Sequence, residues 1–431
     1  MPPIDSTAKS AVARPGLSRR QFVLRTTALA GAAATATAFP APWIRAAAPI
    51  KIGYVSPQTG PLASFAGADD FVVANVRELF KSQGRNIEIV IKDSQSNSNR
   101  AADVTSDLIQ RDQVALVVVG AAPETDNPVA DQCELNEVPC ISSVSPWQPW
   151  FFARGGAPDK PFKWTYHFFW GLEDAIGAYI GMWQQLPSNH VVGGVFANDP
   201  DANAWGQALP PALKKIGFTF VDPGRFQTLT ENFTAHISAL KSAGVDIITG
   251  NMIPPDFTSF WTQARQQGLK AKIVTIGKAL LFPASVEALG DAGDKLSTEV
   301  WWSPHHPFKS SLSGTSAADF AAAYTRATGK QWSQPLGYVH ALFEVAADVL
   351  HRSADSGNPS ANRDALVATK LDTIVGNIAW GGGPVANVAK TPLVGGQWRR
   401  TPAGPFKYDL LITDNSLATS IPTVAKMEAV D

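Results

Sequence analysis

Residues 232–276 read NFTAHISALKSAGVDIITGNMIPPDFTSFWTQARQQGLKAKIVTI, and this stretch decides the fold class. Two helical patterns, Phe233–Ala243 and Thr258–Gln267, each precede a short apolar run, at Asp246–Thr249 and at Ile273–Ile276. Their lengths and apolar spacing distinguish helices from buried strands. Because strands separated by helices favour right-handed crossovers, this alternation predicts parallel strands covered by helices.

The same alternation continues outward in two series. The first starts at Ile50–Val55 and includes Leu116–Gly120, a Val-rich run typical of a strand buried on both faces. The second starts at Gly171–Gln185, after an aromatic stretch with Pro and Gly, Trp147–Trp170. Two series in a chain of this length predict two α/β domains with parallel sheets. The other predicted elements are helices Phe65–Gln83, Asn99–Asp112, Asp126–Glu137, Asn203–Ile216, Ser316–Gly329 and Pro335–Ser353, and strands Ile87–Lys92, Val138–Ser143, Val191–Phe196 and Phe218–Val221.

The N-terminal residues have the pattern of an export signal. Arg19 and Arg20 precede an apolar stretch rich in Ala and Thr, from about Val23 to Phe39, and small residues follow. Paired arginines in this position resemble the bacterial twin-arginine signal, and the apolar stretch is too short to span a bilayer. We therefore expect residues 1–48 to direct Tat-dependent export to the periplasm; the alternative is a disordered basic tail.

The charge of the remaining chain excludes some partners. Residues 1–48 contain six basic residues and one acidic residue, which leaves 30 basic and 36 acidic residues beyond them. A mildly acidic surface argues against nucleic acid as a partner. No later stretch is long and apolar enough for a transmembrane helix, so the protein is not expected to span the membrane.

Motifs for catalysis or cofactors are not found in the sequence. It has no G-x-S-x-G, no H-E-x-x-H and no phosphate-binding Gly loop. His305 and His306 are adjacent, and adjacent residues of an extended chain point to opposite faces. Cys133 and Cys140 have no zinc-site spacing, and either a disulfide or two buried thiols fits them. We expect no enzyme activity, no cofactor and no metal.

Five stretches carry a resemblance to a known family. They are IKIGYVSPQTGPLASFAG from Ile50, EVPCISS from Glu137, NDPDANAWG from Asn198, NFTAHISALKSAGVDII from Asn232 and FWTQARQQGLK from Phe260. In this order they resemble the leucine/isoleucine/valine-binding family, the type I periplasmic binding proteins that serve ABC transporters. The last two stretches are the most specific.

The resemblance implies two Rossmann-like lobes joined by a three-strand hinge. Lobe one is expected to hold residues 50–169 plus 304–377, and lobe two residues 171–302 plus 378–431. A small-molecule ligand would lie in the cleft, at the C-terminal ends of the parallel strands, and the closed form would be recognised by an ABC transporter permease.

Candidate ligand-binding residues of lobe one follow its predicted strands. Phe65 stands where relatives often place an aromatic residue against the ligand, although core packing would also explain it. The loop after Leu116–Gly120 contributes Glu124 and Thr125, and Pro123 there removes a backbone N–H that relatives offer to a carboxylate. The hydroxyl-rich turn after the next strand and the following aromatic stretch contribute Ser143, Ser145, Trp147 and Trp170.

Lobe two contributes four candidates. Trp205, followed by glycine, matches an aromatic residue that closes over the ligand in relatives, while Asn251 and Met252 follow a strand and should reach the cleft. Lys278 replaces the acidic residue that pairs with the ligand's ammonium group in amino-acid-binding relatives. The replacement favours an anionic ligand over a zwitterion, unless Lys278 is only a surface residue.

These observations predict a substrate-binding protein of an ABC importer that closes on a small organic ligand, favoured to be an aromatic or other carboxylate. A receptor for branched-chain or other amino acids is the main alternative, with an acid supplied by Glu124 or Asp174. A Tat-exported enzyme and a signalling co-receptor of the same fold are further alternatives.

Overall fold

The structure is a computed structural model, and it describes residues 48–430. The predicted export signal, apart from its last residue, lies outside the described residues. The helices are α1 Asp69–Ser82, α2 Ser98–Gln110, α3 Pro123–Leu135, α4 Trp147–Phe152, α5 Leu172–Trp183, α6 Pro200–Lys215, α7 Thr234–Ser242, α8 Pro254–Gln266, α9 Pro283–Ala288, α10 Ala317–Thr328, α11 Pro335–Arg352 and α12 Pro359–Val367. The strands are β1 Ile50–Ser56, β2 Ile87–Asp93, β3 Leu116–Gly120, β4 Cys140–Ser143, β5 Thr165–Phe168, β6 Val191–Ala197, β7 Thr219–Val221, β8 Arg225–Phe226, β9 Ile247–Met252, β10 Ile273–Lys278, β11 Ser297–Val300, β12 Lys370–Thr373, β13 Gly376–Ala379, β14 Val388–Ala389, β15 Val394–Arg400 and β16 Tyr408–Asp414.

The first sheet has six strands in the order β14-β5-β4-β3-β1-β2, and all its neighbours are parallel. The central strand β3 is buried along its whole length, which is why it consists of four apolar residues and a glycine, LVVVG. α11 packs against β3 and β4 although it lies two hundred residues later in the chain.

The second sheet follows the order β16-β15-β11-β10-β9-β6-β7, and β8 pairs with β6. Its strands from β11 to β7 are parallel, whereas β15 and β16 form an antiparallel edge. Both sheets are covered by helices, so the predicted parallel α/β class with two lobes is confirmed.

The chain passes between the two sheets three times. The passages fall after β5, after β11 and between β14 and β15. β14, within the residues expected in lobe two, pairs with β5 of the first sheet through Val388 and Ala389. The exact residue ranges of the lobes stay a prediction.

The aromatic stretch Trp147–Trp170, between the two series of strands and helices, contains a helix and a strand. α4 and β5 lie within it, and Trp150 stacks on His167 with ring centroids 4.7 Å apart. Four residues of β5 are all buried, so their burial gives no alternation that sequence periodicity could detect. Cys133 of α3 and Cys140 of β4 are buried free thiols in one part of the core.

Candidate functional site

Residues that follow the C-terminal ends of strands in both sheets line one cavity. From the first sheet these are Ala121 and Ala122 after β3, Val144 after β4 and Trp170 after β5. The remaining lining residues are Phe65, Asp201, Asn251, Lys278, Leu281 and Glu299. The cavity volume is about 20 Å³, which is room for a single water molecule and too little for an organic solute. The cleft between the lobes is therefore closed.

Lys278 is the central side chain of the cavity. It ends β10 with φ 67° and ψ −55°, close to the rare γ-turn geometry that strains any residue with a side chain. Only 3% of the residue is exposed. Backbone strain of this kind costs about 1–3 kcal/mol and is concentrated at functional sites. The strained backbone makes residue 278 a candidate for a functional role.

Carboxylates from both lobes hold the Lys278 ammonium group. Its Nζ lies 3.1 Å from Oε1 of Glu124 in α3 and 3.6 Å from Oδ2 of Asp199. Burial alone would lower the pKa of Lys278, but the negative charges of Asp199, Glu124 and Asp201 outweigh it and raise this pKa above its ordinary value. The Glu124 contact joins the first lobe to the second.

The sequence Asn198-Asp199-Pro200 explains why Asp199 is available. Asp199 is the N-cap of α6, and its Oδ1 accepts a hydrogen bond from the Ala202 N–H at 2.7 Å. Pro200 suits the first helical position because no N–H is needed there. The cap fixes the carboxylate, so its other oxygen faces Lys278.

Two acids, Asp201 and Glu299, line the cavity itself. Burial raises the pKa of Asp201 to about 7, with Lys278 opposing the shift and the neighbouring acids adding to it. Burial also raises the pKa of Glu299, which accepts hydrogen bonds from the Tyr179 hydroxyl at 2.5 Å and from Thr298 Oγ1 at 2.9 Å. Asp201 Oδ1 has no hydrogen-bond partner.

Aromatic side chains close the apolar part of the cleft. Phe65, from the turn after β1, meets Phe282 of the second lobe edge to face, with centroids 5.0 Å apart. Trp170 packs beside Phe169 at 4.6 Å, and its buried Nε1–H has no acceptor. The cavity is thus lined by both aromatic and charged side chains.

Four of the sequence-predicted site residues line this cavity: Phe65, Trp170, Asn251 and Lys278. Glu124 does not line it but contacts Lys278. Asp174, named as an alternative source of an acid, is bonded to Lys390 at 2.7 Å instead.

The predicted residues with hydroxyl groups do not line the cavity, and two of them donate hydrogen bonds to other residues. Ser143 Oγ donates to the Phe168 carbonyl at 2.5 Å, and Ser145 Oγ donates to Asp126 at 2.8 Å. Thr125 is fully buried, and its hydroxyl has no partner.

The other predicted residues pack in the interior around the cleft. Trp205 is fully buried and stacks on Tyr179, with ring centroids 5.1 Å apart. Met252 is also fully buried. Trp147 is 9% exposed, and its Nε1 donates to Glu173 at 3.3 Å. None of the three lines the cavity in this closed arrangement.

Sequence reasoning missed two acids of the cavity. Asp201 lies in the NDPDANAWG stretch, of which only Trp205 was predicted to contact the ligand. Glu299 lies in β11, a strand between two longer helical regions. The Asn-Asp-Pro-Asp cluster at a helix start was a usable signal for the first; nothing in the local sequence marks the second.

Within residues 48–430, no helix is long and apolar enough to cross a membrane. In the same range, no group of three or more His, Cys, Asp or Glu could hold a metal ion. His306 is buried, and its Nδ1 lies 2.9 Å from Ser303 Oγ.

Two α/β lobes whose strand ends converge on one cavity define a bilobal binding protein. A family model described as periplasmic binding protein matches residues 49–401, and the chain therefore belongs to the periplasmic binding protein family. This confirms the resemblance to the receptors of ABC transporters.

Solved structures share the fold at low sequence identity. The leucine-binding protein LivK of Thermotoga maritima has a TM-score of 0.70 and 17% identity, covering 85% of this chain and 99% of its own. The branched-chain amino acid binding protein LivJ of Streptococcus pneumoniae, in complex with isoleucine, has a TM-score of 0.67 and 16% identity, covering 84% and 99%. A solute-binding protein of Rhodopseudomonas palustris, in complex with 3,4-dihydroxybenzoic acid, has a TM-score of 0.66 and 18% identity, covering 85% and 97%.

Proposed function

We propose that this chain is the periplasmic receptor of an ABC importer for a small organic carboxylate, and that aromatic carboxylates are its favoured ligands. The observation that carries the proposal is the buried Lys278 ammonium group between the lobes, held by a strained backbone. Phe65 and Trp170 supply an apolar wall beside it. A flat carboxylate would direct its anion to Lys278 and pack its ring against that wall.

Glu124 explains how a site with several acids can accept an anion. Its carboxylate reaches Lys278 from the other lobe, so it stands in for the carboxylate of a ligand. The Glu124 side chain is 23% exposed, and its Oε2 has no partner. When the lobes separate, Glu124 withdraws, and a ligand carboxylate takes its place without changing the charge balance around Lys278.

A receptor for amino acids is the second candidate, and a specific observation favours it. Asp201 and Glu299 line the same cavity as Lys278, and carboxylates favour an ammonium group. Glu124, considered above as an alternative acid, is also within 3.1 Å of Lys278. The structural neighbours include one protein in complex with isoleucine and one in complex with 3,4-dihydroxybenzoic acid.

The mechanism we propose is hinge closure. A cavity of about 20 Å³ admits no solute, so the lobes have to separate before a ligand enters. Separation breaks the Lys278–Glu124 ion pair and the Phe65–Phe282 contact, both of which join the lobes. A ligand that contacts both lobes then shifts the population back to the closed form, which a membrane permease would recognise.

A thermal-shift screen followed by calorimetry tests the ligand class. Benzoate, 4-hydroxybenzoate, leucine and 4-methylpentanoate are the probes, each at 0.01–10 mM. A ligand at about 100 times its Kd stabilises the folded state by about 2.7 kcal/mol, which is readily seen as a rise in melting temperature. We expect the aromatic carboxylates to raise it most.

The outcomes separate the two candidates. Micromolar binding of leucine with no effect of either benzoate would replace the first candidate by the second. If none of the four probes raises the melting temperature, the proposed ligand class is wrong. Lys278→Met should abolish the effect of benzoate, whereas Lys272→Met is a matched control, because Lys272 forms an exposed ion pair with Asp246 far from the cavity.

A further inference from the structure

We infer that Asp126 and His167 are positioning residues of the cleft, which hold Ser145 and thereby keep the strained backbone of Val144 in the conformation that binds ligand. The inference rests on the proposed function of the cavity and concerns the wall that the first lobe contributes to it. Three observations carry it: the backbone strain at Val144, the contacts that hold Ser145, and a further contact from Asp126 to the neighbouring turn.

Val144 is a strained residue in the wall of the cavity. It lines the cavity, it is buried, and its φ is 68°. A positive φ is a genuine outlier for a β-branched side chain, and among residues 48–430 no other Val, Ile or Thr has one. Such a residue keeps its conformation only where its surroundings over-determine it. We therefore expect nearby contacts to hold this turn.

Ser145, the next residue, is held through both its side chain and its backbone. Its hydroxyl donates to Oδ2 of Asp126 in α3 at 2.8 Å, and its carbonyl accepts from Nε2 of His167 in β5 at 2.8 Å. Because a carbonyl only accepts, His167 carries its proton on Nε2, and Nδ1 accepts from the Ser142 hydroxyl at 2.9 Å. Burial lowers the pKa of His167 to about 3, so the ring stays neutral. The turn at Val144 is thus fixed at the residue that follows it.

Asp126 also connects this turn to the turn after β3. Its Oδ1 accepts a hydrogen bond from the Ala121 N–H at 3.1 Å, and its own N–H donates to the Ala122 carbonyl at 2.9 Å. Ala121 and Ala122 line the same cavity as Val144, whereas Asp126 and His167 do not line it. One fully buried carboxyl group therefore ties the turns after β3 and β4 together without reaching the cavity.

The backbone strain sets the size of the expected effect. Once the contacts to Ser145 are lost, strain of this kind favours a relaxed turn by a factor of roughly 5 to 150. A ligand that needs the strained turn then binds more weakly, in proportion to the fraction of molecules that retain it. Glycine adopts a φ of 68° without strain, so a protein with Val144→Gly should not need these contacts.

Calorimetry with 4-hydroxybenzoate, or with whichever of the four probes binds most tightly, tests this coupling. Ser145→Ala removes the contact to Asp126, and His167→Phe removes the imidazole contact while keeping an aromatic ring beside Trp150. With valine at position 144, each should weaken binding at least about fivefold. When Val144→Gly is also present, each should weaken it less than about twofold, because the turn is no longer strained. A role in stability alone would give the same loss with valine and with glycine.

Ser310→Ala is the matched control. Ser310 is buried, its Oγ lies 2.8 Å from Nε2 of the buried His340 in α11, and neither residue lines the cavity. This variant should be less stable but should keep the wild-type affinity. Hydrogen exchange without ligand, in peptides that cover residues 141–148, gives a second measurement. Ser145→Ala and His167→Phe should accelerate exchange there with valine at position 144, and should not accelerate it with glycine.

Three results would overturn the inference while the proposed function still stands. They are wild-type affinity in Ser145→Ala and His167→Phe, equal losses of affinity with valine and with glycine at position 144, and a loss in Ser310→Ala as large as in these variants. If none of the four probes binds the wild-type protein, the proposed function is wrong, and hydrogen exchange alone decides whether Asp126 and His167 hold the turn. Unchanged exchange in Ser145→Ala and His167→Phe would then overturn the inference as well.

Discussion

Replacement of Lys278 gives the sharpest prediction for the cleft. Lys278→Ala removes the cation from two ion pairs, with Glu124 at 3.1 Å and Asp199 at 3.6 Å. Breaking a buried pair costs about 3–5 kcal/mol because the partner charge stays behind. Since the side chains of the two acids are 23% and 10% exposed, solvent screens them partly, and we expect the free energy of unfolding to fall by about 2–3 kcal/mol.

The backbone conformation of residue 278 has a second, independent effect on the free energy of unfolding. With φ at 67°, a side chain at this position is strained, whereas glycine is not. Glycine usually destabilises a protein by about 0.5–1 kcal/mol relative to alanine. Here the order should be inverted, and Lys278→Gly should be more stable than Lys278→Ala by about 1 kcal/mol, because alanine keeps the strain.

Urea unfolding at pH 7.5, followed by tryptophan fluorescence, measures both effects. Lys272→Ala is the control, since this exposed lysine pairs with Asp246 at 2.9 Å and should change the free energy of unfolding by less than about 1 kcal/mol. A loss below about 1 kcal/mol for Lys278→Ala, or a Gly variant less stable than the Ala variant, would refute the reasoning about this residue.

Three further predictions concern the rest of the fold. Trp205→Ala should lower the free energy of unfolding by about 3–5 kcal/mol in urea titrations, because the ring is fully buried; a loss under about 1 kcal/mol would mean that the ring is exposed in solution. Burial raises the pKa of Asp69 from an ordinary value of 3.8 to about 7. The protonated Asp69 carboxyl therefore contributes fully to stability below pH 3.8, and this contribution is lost as the pH rises through about 7. Relative to wild type, the free energy of unfolding of Asp69→Asn should therefore increase by up to about 4 kcal/mol between pH 4 and pH 8. Parallel curves of stability against pH for the two proteins would contradict this. Burial also raises the pKa of the Cys133 thiol, so a thiol reagent should leave the native protein unmodified and count two thiols, Cys133 and Cys140, after unfolding; no reaction after unfolding would indicate a disulfide.

The sequence predicted the parallel strands and their helices well because each of these elements has its own local pattern of apolar residues. Continuous apolar runs such as Leu116–Gly120 and helical stripes such as Pro335–Arg352 lie within a residue or two of their expected positions. The stretch Trp147–Trp170 was treated as a separator, yet it contains a helix and a strand. Prolines, glycines and closely spaced aromatic residues there conceal the periodicity on which such predictions depend.

The site was predictable only in part, because its charges come from distant segments. Lys278 was identified from a local departure from a family pattern, and it lies in the cavity. The acids that surround it, at positions 124, 199, 201 and 299, are brought together only by the fold. The local sequence around Lys278 therefore does not reveal the negative charge of the cleft. Trp205 was expected to face the cleft, a role that stays a prediction, and in the closed form it stacks on Tyr179.

Hydrogen exchange with mass spectrometry can decide whether one ligand contacts both lobes. The protein is compared with and without saturating 4-hydroxybenzoate, and exchange is read in peptides that cover residues 120–126 of the first lobe and 276–282 of the second. If one ligand contacts both lobes, exchange should be slower in both segments, and Lys278→Met should remove the effect from both. Slower exchange confined to one lobe, or no change in either, would contradict it.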